Sequence, residues 1–522
     1  MNVQTFKGKS KNGVAEITLI TNIAMLELLG KGLFGKVGID ARIFGTLKKQ
    51  GISVSTVSQG SSEKGISLVI SKTKINEAVG ALKKEFQKEF GEKDIDKITV
   101  NKRISVLSII CKEKYFFQKA LEVLIKNSIF PLLMNNTVSE NNISLVLNSA
   151  DSVKALNVLQ GEIFGLSKKI NIAIIGHGKI GGTLIDQILN SAENIEKKRR
   201  IKLNIFAVCN SKKILLKEKG IDKKWRENIK IKGIPYKYED IASFAKKHHL
   251  ENCIFVDNTA NKNLPEKYIY FINKSFDIVS SNKVANTLDF NFYQEIREAL
   301  KKNNKKYLYE TNVGAGLPLI DTIGLLHLSG ENITKIRGVF SGTLSYLFNN
   351  FSIKNIDFID ILKKSMQLGL TEPDPREDLS GKDVGRKLLI LARELDLANE
   401  FSDIEIENLV PKNLEHLKPA DFFDKLNKLN QIFAEKKKTL KKGFVFRYIG
   451  ELSGDLQQPK GKLRVGLVQV PINSALGQLK GSDSIFEIYT DSYGEQPLVI
   501  QGAGAGPNVT ARGVFGDILR LA

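Results

Sequence analysis

Ile170-Asn-Ile-Ala-Ile-Ile-Gly-His-Gly-Lys-Ile-Gly181 runs from an apolar stretch into glycines at 176, 178 and 181. A short apolar run, then G-x-G-x-x-G, then a segment with helical periodicity predicts a strand over Ile170–Ile175, a tight turn, and a helix from Gly182 to about Ala192. Gly176 permits the turn, Gly178 lets the backbone approach a pyrophosphate, and Gly181 lets the helix lie close to the strand. With Lys179 and Ile180 they make a loop whose backbone amides, at a helix N-terminus, face phosphate oxygens. That reading sets the class as α/β and places a Rossmann dinucleotide-binding domain at 167–309.

The next expected strand, Leu203–Val208, ends at Cys209-Asn210-Ser211-Lys212-Lys213. A site selective for NAD usually has an acid there to hold the ribose 2′-hydroxyl. Here the acid is absent. A carboxylate would repel a 2′-phosphate, whereas Asn210, Ser211 and Lys212 could hold one, so NADP is the expected cofactor and NAD the alternative. Further strands are expected within 253–261, which carries Thr259, and within 276–287, which carries Lys283. Both segments end in small polar residues, and open α/β sheets bind ligands at the C-terminal ends of their strands.

Beyond them, the segment 307–323 places Glu310 before a glycine-rich turn. One carboxylate with the carbonyl oxygens of Val313, Ala315 and Leu317 suits a hard monovalent cation and not a transition metal. The same residues also read as a plain turn that holds no ion. The stretch Gly369–Lys387 then packs Glu372, Asp374, Glu377, Asp378 and Asp383 ahead of Lys387. Pro373 and Pro375 keep its acidic half out of a helix interior. Ser380 reads as an N-cap with Asp383 as its capping-box partner, and Asp383 and Lys387, four apart, share one helix face. A carboxylate and an ammonium presented together suit a small zwitterionic ligand; the alternative is a capped helix with solvated charges. Residues 398–442 read as helical and charged, and Gly502, Gly504 and Gly506 precede a last helix.

The stretch 369–387 resembles the substrate-binding signature of homoserine dehydrogenases, and the order of motifs resembles the bifunctional aspartokinase–homoserine dehydrogenase family from about residue 8 onward. The resemblance implies reversible reduction of L-aspartate 4-semialdehyde to L-homoserine. It implies that Lys387 is the proton donor with Lys283 beside it, that Glu372 and Asp383 hold the substrate ammonium, and that Asp378 supports them. It further implies sodium or a similar monovalent cation at Glu310, Val313, Ala315 and Leu317, and a C-terminal segment, with Gly502, that returns to the cofactor; Gly369 is also assigned to the cofactor. That family's kinase lobe, with its Lys-Phe-Gly-Gly-Thr loop, has no counterpart here, so no aspartate kinase activity is expected; the alternative is the dehydrogenase half of such a bifunctional enzyme whose kinase lobe is elsewhere.

Upstream of 167, a strand–helix–strand–strand–helix order occurs twice, an internal duplication. The two units, 1–95 and 96–166, resemble paired ACT domains, the amino-acid sensors of ferredoxin-like fold. Gln59-Gly-Ser-Ser-Glu63 matches their effector loop, and the second unit has Asn136 in place of the glutamine. The resemblance implies threonine as effector, bound at one type of site through Gln59, and coupled through Val153–Lys169. The expected architecture is therefore tandem ferredoxin-like ACT units, the Rossmann domain, an α+β substrate and dimerisation domain at 310–500, and a C-terminal segment at 501–522. Decay to a non-catalytic sensor is disfavoured because Glu372, Asp383, Lys387 and Lys283 are all present.

Composition bounds the rest. With 42% apolar and 26% charged residues in 522, the chain reads as an ordinary multidomain globular protein. Its net charge of +21 comes from dispersed lysines without interleaved aromatics, so no nucleic-acid partner is expected. Cys111, Cys209 and Cys253 lie far apart in apolar runs, which excludes a Cys-x-x-Cys zinc site and a disulfide framework. No apolar leader or membrane-length run occurs, so a cytoplasmic protein is expected; a homo-oligomer, dimer or tetramer, is a separate expectation.

Overall fold

A computed structural model describes residues 1–10, 13–31, 37–59, 65–111, 116–137 and 142–522. The chain folds as two compact units. The first is Met1–Asn171 with Glu193–Leu203 and Ser243–Cys253, and the second is the remainder.

In the first unit β1 (Asn2–Ser10), β2 (Gly13–Leu29), β3 (Val54–Gln59), β4 (Gly65–Ser71), β5 (Lys97–Ile110), β6 (Leu133–Thr137) and β7 (Asn142–Asn148) form one sheet. Its order is β3-β4-β2-β5-β7-β6, with β1 paired to β2. The two sequence repeats thus meet along their first strands, β2 and β5, which run antiparallel. β1 lies in the N-terminal stretch that sequence reading left without structure; it is held by pairing to the start of β2 from Asn2↔Thr21 to Ser10↔Gly13. Each repeat buries one apolar face under its own helices. Ile43, Leu47, Ala78 and Leu82 pack on Leu26 and Leu68 in the first, and Ala120, Leu124, Ala155 and Leu159 on Leu107 and Leu145 in the second. These apolar positions recur at three- and four-residue spacing in the helices and alternate in the strands, the two periods that put one face inward. Val153–Lys169, expected to link sensor and dehydrogenase, includes most of helix Ser152–Ile163. Within the same unit, Asn127 Nδ2 donates to Asn252 Oδ1 at 3.1 Å, and Asn252 N donates to Asn127 Oδ1 at 2.7 Å.

The dinucleotide-binding sheet comprises β8 (Lys168–Ile175), β9 (Ile201–Cys209), β10 (Ile214–Leu216), β11 (Cys253–Asp257), β12 (Phe276–Ser280) and β13 (Tyr307–Leu308) in the order β10-β9-β8-β11-β12-β13. The order reverses beside β8, which opens a crevice at the strand C-termini. Gly176 N donates to Cys209 O and Asn258 N to Ile175 O, each at 2.9 Å, so the ends of β8, β9 and β11 lie side by side. β10 runs antiparallel to β9. The helix after the glycine turn spans Lys179–Arg199, longer at both ends than expected. Its first turn begins inside the glycine motif, and Leu184, Ile185 and Ile188 extend the buried stripe.

A third sheet, β15 (Ile404–Ile406), β17 (Lys462–Pro471), β16 (Phe444–Ser453), β14 (Ile333–Val339), β18 (Ser484–Thr490) and β19 (Leu498–Gly502) in spatial order, is antiparallel except for β15 with β17. The β15 strand interrupts the region 398–442 that had read as wholly helical. Helices Gly342–Ile353 and Lys382–Glu394 pack against β16. The closing helix, Pro507–Arg520, reaches the Glu310–Asn312 turn and β12.

Candidate active site

Helix Lys382–Glu394 carries the charged centre. Lys387 Nζ lies 2.9 Å from Asp383 Oδ2, the pairing that four-residue spacing predicted. Lys387 Nζ also donates to Phe340 O at 2.7 Å, just past β14. Lys283, in the turn after β12, places its Nζ 3.7 Å from Asp383 Oδ1, and Arg386 approaches the same oxygen at 3.7 Å. One carboxylate therefore holds two lysines from distant parts of the chain. Burial opposes ionisation of Asp383, but Lys283, Lys387 and Arg386 outweigh it and hold the carboxyl well below the usual range. Asp383 acts to raise the Lys283 ammonium; burial, Lys387 and Arg386 together outweigh it, and the lysine falls below its ordinary value.

The capping expectation fails at this helix. Its N-cap is Gly381, not Ser380, because the chain enters through a left-handed residue at φ 70°. A Cβ there would lie 2.0 Å from Tyr448 Oη, so no side-chain cap can replace it. Asp383 accordingly turns away from the backbone and toward the lysines. The preceding acidic half is also helical for one turn: Pro375–Leu379, with Pro375 in the first turn and Asp374 accepting from Arg376 N at 3.0 Å. Proline is tolerated at that position because its amide would be unpaired anyway. This turn aims Asp378 back at Glu372, whose backbone N donates to Asp378 Oδ2 at 2.9 Å. Burial first, with Glu372 and Asp383 adding to it, raises the Asp378 carboxyl. Glu372 itself is exposed. Asp378 and Asp383 interact across this acidic stretch, and Asp383 is paired to both lysines.

The turn bearing Lys283 is built on Asp257, which is fully buried at the end of β11. Its carboxylate accepts from Tyr268 Oη at 2.7 Å, Thr259 N at 2.8 Å and Asn282 Nδ2 at 3.0 Å. Sequence reading missed this network and the Phe340 carbonyl. The aspartate ending the apolar stretch 253–257 was a usable signal; a backbone oxygen has none.

The glycine turn fits a dinucleotide. Gly176 has φ 84°, and a Cβ on it would lie 2.8 Å from Thr259 Cγ2. A Cβ on Gly181 would lie 1.9 Å from the Gly176 carbonyl oxygen. On Gly178 a Cβ would meet nothing within 4 Å, which leaves that backbone open to a ligand. Lys179 and Ile180 form the first helical turn. Asn210 is a scaffold for the neighbouring loop: its Oδ1 accepts from Lys212 N and Lys213 N at 2.8 Å, and its Nδ2 meets His177 Nε2 at 3.1 Å. Ser211 and Lys212 are exposed on that loop. Gly369 follows helix Phe358–Gln367 and is exposed. A Cβ on Gly502 would lie 3.0 Å from Leu317 Cδ2, so the returning segment packs on the 313–317 turn.

In that turn Gly314 and Ala315 have φ 76° and 56°. Glu310 is buried, and its carboxylate accepts from Ile320 N at 2.7 Å and Asp321 N at 3.1 Å at the start of helix Leu319–Leu328. Burial, with Asp321 adding to it, raises its carboxyl above the usual range. Among the described residues no group of three or more His, Cys, Asp or Glu side chains could hold a metal. Gln59 is exposed at the end of β3; the rest of the expected effector loop, 60–63, and residues 138–140 of its counterpart lie outside the described residues. No helix among the described residues is long and apolar enough to cross a membrane.

Comparison with known proteins bears on this geometry. A model of the homoserine dehydrogenase family matches residues 318–519, one of the homoserine dehydrogenase NAD-binding domain matches 176–310, and one of the ACT domain matches 26–86. The chain is 34% identical over 514 residues to a bifunctional aspartokinase/homoserine dehydrogenase of Haemophilus influenzae, covering 97% of this chain and 62% of that protein. It therefore spans less than two thirds of the curated relative's length. Among solved structures it resembles a Candida auris protein of unknown function at 32% identity and TM-score 0.62, over 68% of this chain and 99% of that one. It shares its fold with a hyperthermophilic archaeal homoserine dehydrogenase in complex with NADPH, at 22% identity and TM-score 0.51, over 68% of this chain and 97% of that one.

Proposed function

The chain belongs to the homoserine dehydrogenase family, and from that premise we propose that it interconverts L-homoserine and L-aspartate 4-semialdehyde with NADP(H). The observation that carries the proposal is the clamping of Lys283 and Lys387 on Asp383, beside the Glu372–Asp378 wall. The nicotinamide, when bound, supplies or takes up the hydride. Gly176, Gly178 and Gly181, with the first turn of Lys179–Arg199, would hold its pyrophosphate. Negative charge that develops on the carbonyl oxygen is met by Lys387 Nζ, which gives or takes the proton there, and Lys283 adds a second positive charge. Glu372 and Asp383 would hold the substrate ammonium, with Asp378 supporting them. The Phe340 carbonyl and Asp383 fix the Lys387 rotamer, so the proton is held where it is needed.

The cofactor reading rests on Ser211 and Lys212, exposed on a loop that Asn210 shapes without an acid. Homoserine oxidation followed at the nicotinamide absorbance should give a higher kcat/KM with NADP than with NAD, and Lys212→Ala should narrow the gap. A preference for NAD that Lys212→Ala leaves unchanged would reverse the assignment. The cation reading takes the Glu310 carboxylate with the carbonyls of Val313, Ala315 and Leu317 as ligands for sodium or a similar ion.

Regulation is proposed through threonine at Gln59, whose amide both donates and accepts. Calorimetric titration should show threonine binding that Gln59→Ala abolishes, with dehydrogenase rate falling in parallel by the few-fold to hundredfold typical of such coupling. Binding indifferent to Gln59→Ala removes this site.

A further inference from the structure

Arg393 closes the helix that carries Asp383 and Lys387 and is only 1% exposed. Its Nη1 donates to Asn286 O at 2.9 Å, and its Nη2 lies 3.2 Å from Glu400 Oε2. Asn286 ends the short helical turn that begins directly after Lys283. The other oxygen of Glu400 accepts from Phe290 N at 2.7 Å, at the start of the next helix. Arg393 and Glu400 therefore grip both ends of the segment Asn286–Phe290. From the opposite side the Asn286 side chain, fully buried, donates to Asn312 Oδ1 at 3.1 Å and to Tyr307 Oη at 3.2 Å, and accepts from Arg297 Nη2 at 3.2 Å. Tyr293 Oη donates to Arg393 O at 3.2 Å and closes the cage.

Taking a guanidinium out of water is costly, and a well-packed apolar side chain of similar volume is often no less stable. This one also leaves its Nε without a partner among the described residues, so packing alone does not account for it. What the arrangement supplies is register. The two lysines sit on different elements, and the proton-transfer geometry depends on tenths of an ångström. A planar fork bonded to the backbone of one lysine's turn, and rooted on the other lysine's helix, joins the two elements directly.

We propose that Arg393, backed by Glu400, is a positioning residue that sets the Lys283 turn against the helix of Lys387, and so fixes the spacing of the two lysines about Asp383. This rests on the proposed dehydrogenase reading only for its kinetic consequence. Lys283 is faced by Asp383, Lys387 and Arg386, and a loosened turn would let it escape to water.

Two measurements on the full chain test it. In competitive acylation against pH, read by peptide mass spectrometry, wild-type Lys283 should titrate below an exposed lysine. Arg393→Lys should move it up toward the exposed value, and Glu400→Gln, at a more exposed site, should move it the same way but less. In the homoserine assay, kcat should fall about tenfold or more in Arg393→Lys while KM for NADP stays within about twofold. A lowered melting temperature with an unchanged Lys283 titration and unchanged kcat per folded molecule would make Arg393 merely structural and overturn the proposal. Should wild type fail to oxidise homoserine, the dehydrogenase reading falls, while the acylation profile still decides the tether.

Discussion

Lys387→Ala is expected to lower kcat for homoserine oxidation by about two to four decades, the range lost when a positioned acid–base group is removed. KM for NADP should change little, because the glycine turn is made by other elements. The argument is geometric first. Lys387 Nζ is held at 2.7 Å by the Phe340 carbonyl and at 2.9 Å by Asp383, so its position is set before substrate arrives. Lys283 is a poorer substitute: it reaches the same carboxylate at 3.7 Å and comes from another element. The electrostatic consequence has a definite sign. Lys387 is one of the charges that push the Lys283 ammonium down. Removing it should raise Lys283, so the residual activity should have its pH profile displaced upward. Steady-state kinetics over pH 6–10 would check both. A kcat within a few-fold of wild type would leave the acidic stretch a capped surface element and end the site assignment.

How far this was readable in advance depended on the range of each interaction. The glycine turn was legible because its constraints are local: Gly181 must be glycine since Gly176 lies five residues away, and its carbonyl would sit 1.9 Å from a Cβ. The Asp383–Lys387 pair was legible from helical spacing alone. Lys283 beside Asp383 was not derivable that way; only resemblance to a family joined two residues so far apart in sequence. Local rules also misled. Ser380 and Asp383 satisfy the capping-box pattern, yet Tyr448 leaves room only for Gly381 at the helix start, and Asp383 gains more from the lysines than from a backbone amide. The prolines read as keeping the acidic half out of a helix interior, and Pro375 stands only in the first turn of the short helix Pro375–Leu379. The Arg393–Asn286 bond had no signal in sequence, because a guanidinium bound to a carbonyl oxygen leaves its partner's residue type free.

The contrast between Gly181→Ala and Gly178→Ala should be the other large effect. For Gly181 the added methyl would lie 1.9 Å from the Gly176 carbonyl oxygen, and both atoms belong to backbone. Relief requires the helix Lys179–Arg199 to move off β8, or Gly176 to leave its φ of 84°, where Asn258 and Thr259 pin it. Overpacking of this kind costs typically about 1–3 kcal/mol and occasionally more. Gly181→Ala should therefore lower the melting temperature and also weaken NADP binding by a hundredfold or more, since the amides that face the phosphates move with the helix. For Gly178 nothing lies within 4 Å of the added methyl, so stability should hold within about 0.5 kcal/mol. Its methyl would stand in the space that the pyrophosphate needs, and NADP binding should fall nonetheless. Thermal unfolding with and without NADP, together with fluorescence titration of NADPH, separates the two. Loss of binding in Gly181→Ala alone, with Gly178→Ala binding NADPH as wild type does, would mean that the open side of Gly178 is not where the phosphates lie.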